Sequence, residues 1–128
     1  YNSSFPGPTI RASRGASADI HFTNGLVDDT TVHWHGMIVP TDMDGQPQDT
    51  IVPGGTYRYT FPIIQRACMN WYHPHPHMMT GEQVCLGLAG AFIVNDAEEG
   101  ALAEPPAEDG ELADDGASLE RLVRWVVG

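Results

Sequence analysis

Apolar and polar positions alternate with a period of two along several short stretches of the chain. In Ala16–Asn24, Ala18, Ile20 and Phe22 fall on one side and Asp19, His21 and Thr23 on the other, the pattern of a half-buried strand. In Thr56–Pro62, Tyr57, Tyr59 and Phe61 alternate with Arg58 and Thr60. In Leu88–Asn95, Phe92 and Val94 alternate with Ala91 and Ile93. Thr31–Ile38 and Asn70–His75 read as further strands, and Thr9–Arg11 as the start of a short edge strand. Turn signals separate these runs: Ser13-Arg14-Gly15, Asn24-Gly25, Asp44-Gly45 and Pro53-Gly54-Gly55. Residues 1–8 are extended, Pro40–Gly55 is a long loop, and Met78–Gln83 is a turn or a single helical turn. Short alternating strands between Gly/Pro turns predict an all-β domain, a β-sandwich or barrel.

The alternation stops at Asn95, which sets the expected domain at residues 1–96 and a tail at 97–128. Asp96–Gly116 is rich in Ala, Glu, Asp, Pro and Gly and nearly free of large apolar residues, so it is expected to be a disordered acidic linker. Leu119, Leu122, Val123 and Val126 then recur at helical spacing behind Ser118 as N-cap, predicting a short helix within Ser118–Val127. A helix of that length needs a surface to dock on.

Composition agrees with one all-β domain: 128 residues, 14 Gly, 10 Pro and no Lys. The net charge of −11 is uneven, with seven acids and four arginines in residues 1–95 and ten acids and two arginines in 96–128. A nearly neutral body and an acidic tail argue against nucleic acid as a partner. No apolar run is long enough to span a bilayer. The two cysteines, Cys68 and Cys85, form no Cys-x-x-Cys, and their pairing, freedom or burial stays open. The chain starts at Tyr1 with no visible targeting segment, so a leader is expected to have been removed or the chain to be part of something longer.

The candidate chemistry lies in two His-x-His pairs, His33-Trp34-His35 and His73-Pro74-His75. On a strand, residues two apart project to the same face. If the two strands are neighbours, four imidazoles converge, which suits copper or zinc on ligand softness. By the same parity His77 is a candidate fifth ligand, whereas the isolated His21 reads as a surface histidine. The five methionines, Met37, Met43, Met69, Met78 and Met79, are scattered and read chiefly as gap-fillers, with Met78 and Met79 notable for lying beside the histidines.

Thr31-Val-His-Trp-His-Gly36 and Trp71-Tyr-His-Pro-His-Pro-His77, followed by Thr80-Gly-Glu-Gln-Val84 and Gly87-Leu-Ala-Gly90, resemble the first cupredoxin domain of a multicopper oxidase, most of all the bacterial laccase-like and copper-efflux oxidases. Pro6-Gly-Pro-Thr-Ile10 and Val52-Pro-Gly-Gly-Thr-Tyr57 are similar to that domain too, so the resemblance covers about residues 1–96. It implies a cupredoxin-like Greek-key β-sandwich that contributes half the ligands of a trinuclear copper centre. His33 would bind the type 2 copper, and His35, His73 and His75 the type 3 pair. The family pattern leaves His77 out. Asp44 matches an acidic residue placed for proton supply, its alternative being an ordinary turn aspartate. The implied reaction reduces dioxygen to water while a phenolic or metal-ion substrate is oxidised. The implied partners are further cupredoxin domains, and the implied compartment is periplasmic or extracellular.

The chain also departs from that pattern. A complete oxidase takes in electrons at a type 1 copper held by a His-Cys-His stretch, and neither Cys68 nor Cys85 has that setting. The remaining trinuclear histidines are missing as well. The expectation is therefore a fragment not active alone, truncated or shifted in frame past Asn95. The alternatives are a stand-alone copper-binding module without turnover and a non-functional gene fragment.

Overall fold

The alternating runs pair as their patterns require. The structure is a computed structural model that describes residues 1–99 and the backbone of 123–127. Strand β2 (Ser17–Asn24) lies antiparallel to β4 (Thr56–Pro62), with Ala18 opposite Phe61, Ile20 opposite Tyr59 and Phe22 opposite Tyr57. Matching of their apolar faces fixes this register, because a slip of one residue would turn the apolar face of the slipped strand outward. A second sheet joins β1 (Ile10–Ser13), β6 (Gly90–Asn95), β5 (Cys68–His73) and β3 (His33–His35) in the order β1-β6-β5-β3. Here β1 runs parallel to β6, and β6–β5 and β5–β3 are antiparallel.

The two sheets close over one core, giving the cupredoxin-like β-sandwich. Trp34 is fully buried at its centre, with ring centroids 5.3 Å from Tyr59, 5.4 Å from Phe61, and 6.0 Å from both Tyr72 and Phe92. One sheet supplies Trp34, Tyr72 and Phe92, the other Tyr59 and Phe61, so the packing ties the layers together. Tyr72 also donates its hydroxyl to the Pro8 carbonyl at 2.6 Å, holding the N-terminal segment to the sheet. Opposite Tyr72 stands Gly90, where a Cβ would run into the phenol ring.

Element boundaries depart from the sequence pattern in ways that bear on the site. β3 is three residues long rather than Thr31–Ile38, because Gly36 turns the chain at φ +85° and Met37 N–H donates to the Trp34 carbonyl. β5 ends at His73 rather than His75, since Pro74 has no N–H to continue a ladder. The long loop contains a 3-10 turn at Thr41–Met43, and a short helix, α1, spans Thr80–Cys85. Cys68 and Cys85 are both exposed and unbridged.

At the C-terminal end, Val123–Val127 is a strand, β7, parallel to β2, with Ile20 opposite Val123 and Asn24 opposite Val127. This corrects the helix expected over these residues, while Ser118–Leu122 lies outside the described residues. The run Val-Arg-Trp-Val-Val is dominated by β-branched and aromatic residues, and β2 offers it an edge to pair with. Of the expected disordered linker, residues 96–99 are described, and they form a turn. The Asp96 carboxylate accepts from Arg66 Nε and from the N–H groups of Ala67, Glu98 and Glu99. The rest of that stretch lies outside the described residues.

Candidate metal centre

The alternation that buries Trp34 turns His33 and His35 to the opposite face of β3. Next to it in β5, Tyr72 points to the core, so Trp71 and His73 face outward with the histidines. The register sets His33 directly opposite His73 and His35 directly opposite Trp71. The paired strands are thus neighbours, as the convergence of the two motifs requires. Ring centroids of His33 stand 5.7 Å from His35, 5.3 Å from His73 and 5.2 Å from His75, and that of His73 stands 5.4 Å from His35, so His33 and His73 each touch the other three rings. One ring nitrogen each from His33, His35 and His73 forms a group within 4.8 Å of one another.

His75 reaches the cluster by a different route from the one its spacing predicts. It lies past the end of β5, and its backbone N–H donates to the Thr31 hydroxyl at 2.8 Å. Its ring stands 5.9 Å from that of His73. Its Nδ1 is buried and, among the described residues, has no hydrogen-bond partner. His77 is exposed and is not one of the close group of three. His21 lies in β2, half-exposed, with Nε2 3.6 Å from the Asp19 carboxylate.

Backbone carbonyls set the tautomers of two rings. His33 Nδ1 is 2.8 Å from the Asp44 carbonyl, and His73 Nδ1 is 2.7 Å from the Pro74 carbonyl. A carbonyl only accepts, so each Nδ1 carries the proton and each Nε2 presents its lone pair. His35 turns its Nδ1 inward, 3.2 Å from His73 Nε2. With the lone pair on His73 Nε2, His35 Nδ1 is the donor of this contact, and a bound ion would take the place of that proton. Burial pushes the His73 pKa below its usual value, outweighing the Pro74 carbonyl, and the neighbouring imidazoles His33, His35 and His75 push it further down. The neutral ring, the form that binds metals, is favoured.

Asp44 sits beside this centre. Its Oδ1 is 3.2 Å from His33 Nδ1, and its Oδ2 accepts from Gln46 Nε2 at 2.5 Å. The following residue makes this approach feasible. Gly45 has φ +61°, and a Cβ there would collide with the Val32 carbonyl and come 3.0 Å from His33 N. Thr31 and Gly45 fall within the marked stretches but had no part in the site assigned to them, and the Pro74 carbonyl has no residue signature. Trp71 was accessible to parity, two residues before His73.

The donor set fits a transition metal. Two nitrogens on one ion at about 2 Å each stand about 3 Å apart, close to the spacing of His35 Nδ1 and His73 Nε2. Nδ1 atoms anchored on carbonyls are the usual outer support of metal-binding imidazoles.

Comparison with known proteins agrees. The profile of the multicopper oxidase family matches residues 1–99. The multicopper oxidase mco of Staphylococcus aureus is 38% identical over 96 residues, covering 75% of this chain and 22% of that protein. Copper resistance protein A of Escherichia coli is 39% identical over 113 residues, covering 86% of this chain and 17% of that protein. Among solved structures, a multicopper oxidase from Campylobacter jejuni described as a metallo-oxidase superposes with a TM-score of 0.74 at 45% identity, over 76% of this chain and 21% of that one. A laccase from Pediococcus acidilactici gives a TM-score of 0.79 at 39% identity, over 83% of this chain and 23% of that one. The chain thus spans about a fifth of the length of the relatives it matches. With the sandwich fold, the histidine cluster and these matches together, the chain belongs to the multicopper oxidase family, of which it carries a cupredoxin domain.

Proposed function

We propose that His33, His35, His73 and His75 supply half the ligands of a trinuclear copper centre, His33 to the type 2 copper and the other three to the type 3 pair. The observation that carries this reading is the close group of three ring nitrogens, two of them on rings whose other nitrogen is anchored to a backbone carbonyl. Copper bound there supplies the one-electron chemistry that couples oxidation of a phenolic or metal-ion substrate to reduction of dioxygen to water. The chain's own groups do the rest. The carbonyls of Asp44 and Pro74 hold the ring orientations. The Asp44 carboxylate, half-buried 3.2 Å from His33 Nδ1, would relay protons that the reduction consumes, a role its contact with His33 supports.

His35 is exposed, so the centre is open on one side. The missing ligands are expected from further cupredoxin domains of the same oxidase. Apolar side chains exposed on this domain, Phe5, Val27, Met78 and Leu86, are consistent with such contacts. A periplasmic or extracellular setting follows from the same reading. The competing reading is a copper-binding module without turnover, for which the close group of His33, His35 and His73 would be enough to hold an ion.

A copper titration combined with an oxidase assay tests both. The chain alone should bind copper, and His33→Ala or His73→Ala should weaken binding by at least about 100-fold, beyond the loss typical of a supporting group. Oxidation of a phenol or of cuprous ion should appear when companion domains are added. Binding that never leads to turnover in the completed assembly would favour the module. A histidine variant that binds copper as tightly as the parent would remove the proposed ligand set.

A further inference from the structure

We propose that Trp71 is a positioning residue of the histidine cluster, its indole bracing His35 and His73 so that their nitrogens face each other. The consequence for copper rests on the function proposed above; the bracing itself does not. Register puts the group together: His35 lies directly across from Trp71, and His33 directly across from His73. The four side chains therefore form one patch on the outer face of the sheet. The Trp71 ring centroid is 4.2 Å from that of His73, at an interplanar angle of 31°. It is 5.1 Å from that of His35, at 32°. One indole thus packs, at that tilt, against both imidazoles whose nitrogens approach to 3.2 Å.

The two rings need such a brace to different degrees. His73 is buried, and its Nδ1 is anchored on the Pro74 carbonyl. His35 is exposed, and its ring nitrogen meets another imidazole rather than a carbonyl. An exposed imidazole turns freely about its two side-chain torsions unless packing stops it. Stacking against Trp71 supplies that packing. A surface indole 38% exposed is otherwise poorly used in this fold, whose core is built on Trp34. Aromatic contacts of this kind change an equilibrium by up to about tenfold.

The test uses the full chain with Trp71→Leu and Trp71→Phe. In the metal-free protein, proton NMR should show ring resonances of His35 and His73 moved upfield by the indole, with those of His75 serving as control. Trp71→Leu should abolish the displacement for His35 and His73 alone. Cu(II) affinity, read by competition titration, should fall about tenfold in Trp71→Leu and by less than about threefold in Trp71→Phe, which keeps a ring at the position. Copper should quench part of the indole emission, and Trp71→Phe should remove most of the quenchable part. Unchanged His35 and His73 resonances in Trp71→Leu would overturn the bracing, as would equal losses of affinity in the two variants. Should the parent chain bind no copper, the copper reading fails, while the metal-free resonances still decide the role of Trp71.

Discussion

At Val32 one backbone N–H decides how the first histidine is presented. It donates to the Tyr59 hydroxyl at 3.0 Å, inside the core, immediately before His33. Tyr59→Phe leaves that donor buried and unpaired, and should destabilise the domain by about 1–3 kcal/mol in a denaturant titration. Gly45→Ala should cost about 2 kcal/mol or more, because the added carbon meets the Val32 carbonyl at a backbone angle that disfavours side chains. Asp96 gives a signed pH dependence. The N–H of Ala67, the Arg66 guanidinium and the N–H of Glu99 hold its carboxyl well below the usual carboxylate range. A depressed folded-state value means stability that is complete above the unfolded value of about 4 and lost as pH falls toward the folded one. Asp96→Asn should flatten the fall in melting temperature on acidification below about pH 4. At this scale the sequence was informative about side chains and silent about carbonyls. Parity put His33 with His35 and His73 with His75, and convergence of the pairs rested on the two strands being neighbours. The Asp44 and Pro74 carbonyls that orient the rings have no residue signature.

Among the elements, β3 shows how much a short strand can carry. Its three residues place Trp34 in the core and two histidines outside, so anchor and site are one segment. Trp34→Ala should destabilise the protein by about 3–5 kcal/mol and lower copper affinity as well, since the strand that aims the rings loses its hold. The strands β2, β4 and β6 were legible because each has one buried face and a clean alternation. β5 was misplaced by two residues because histidine spacing was read through a proline that ends the ladder. The error did not break the cluster, since the Thr31 hydroxyl receives the His75 N–H where the strand has ended. β7 was read as part of a helix because Leu119, Leu122, Val123 and Val126 recur at helical spacing, although Val-Arg-Trp-Val-Val is also strand-prone. Only the neighbouring edge of β2 distinguishes the two.

Across the molecule, the sandwich carries the histidine cluster on the outer face of one sheet, with His35 exposed there. No helix among the described residues is long and apolar enough to cross a membrane. The parallel pairings carry a further consequence. Ile10 is matched with Phe92, and Ile20 with Val123, so each layer includes partners far apart along the sequence. Such distant partners meet slowly, and stopped-flow refolding should take milliseconds to seconds rather than microseconds. During synthesis, His33 and His35 leave the ribosome well before His73 and His75. The nascent chain therefore exposes one histidine pair for a time before the second can join it.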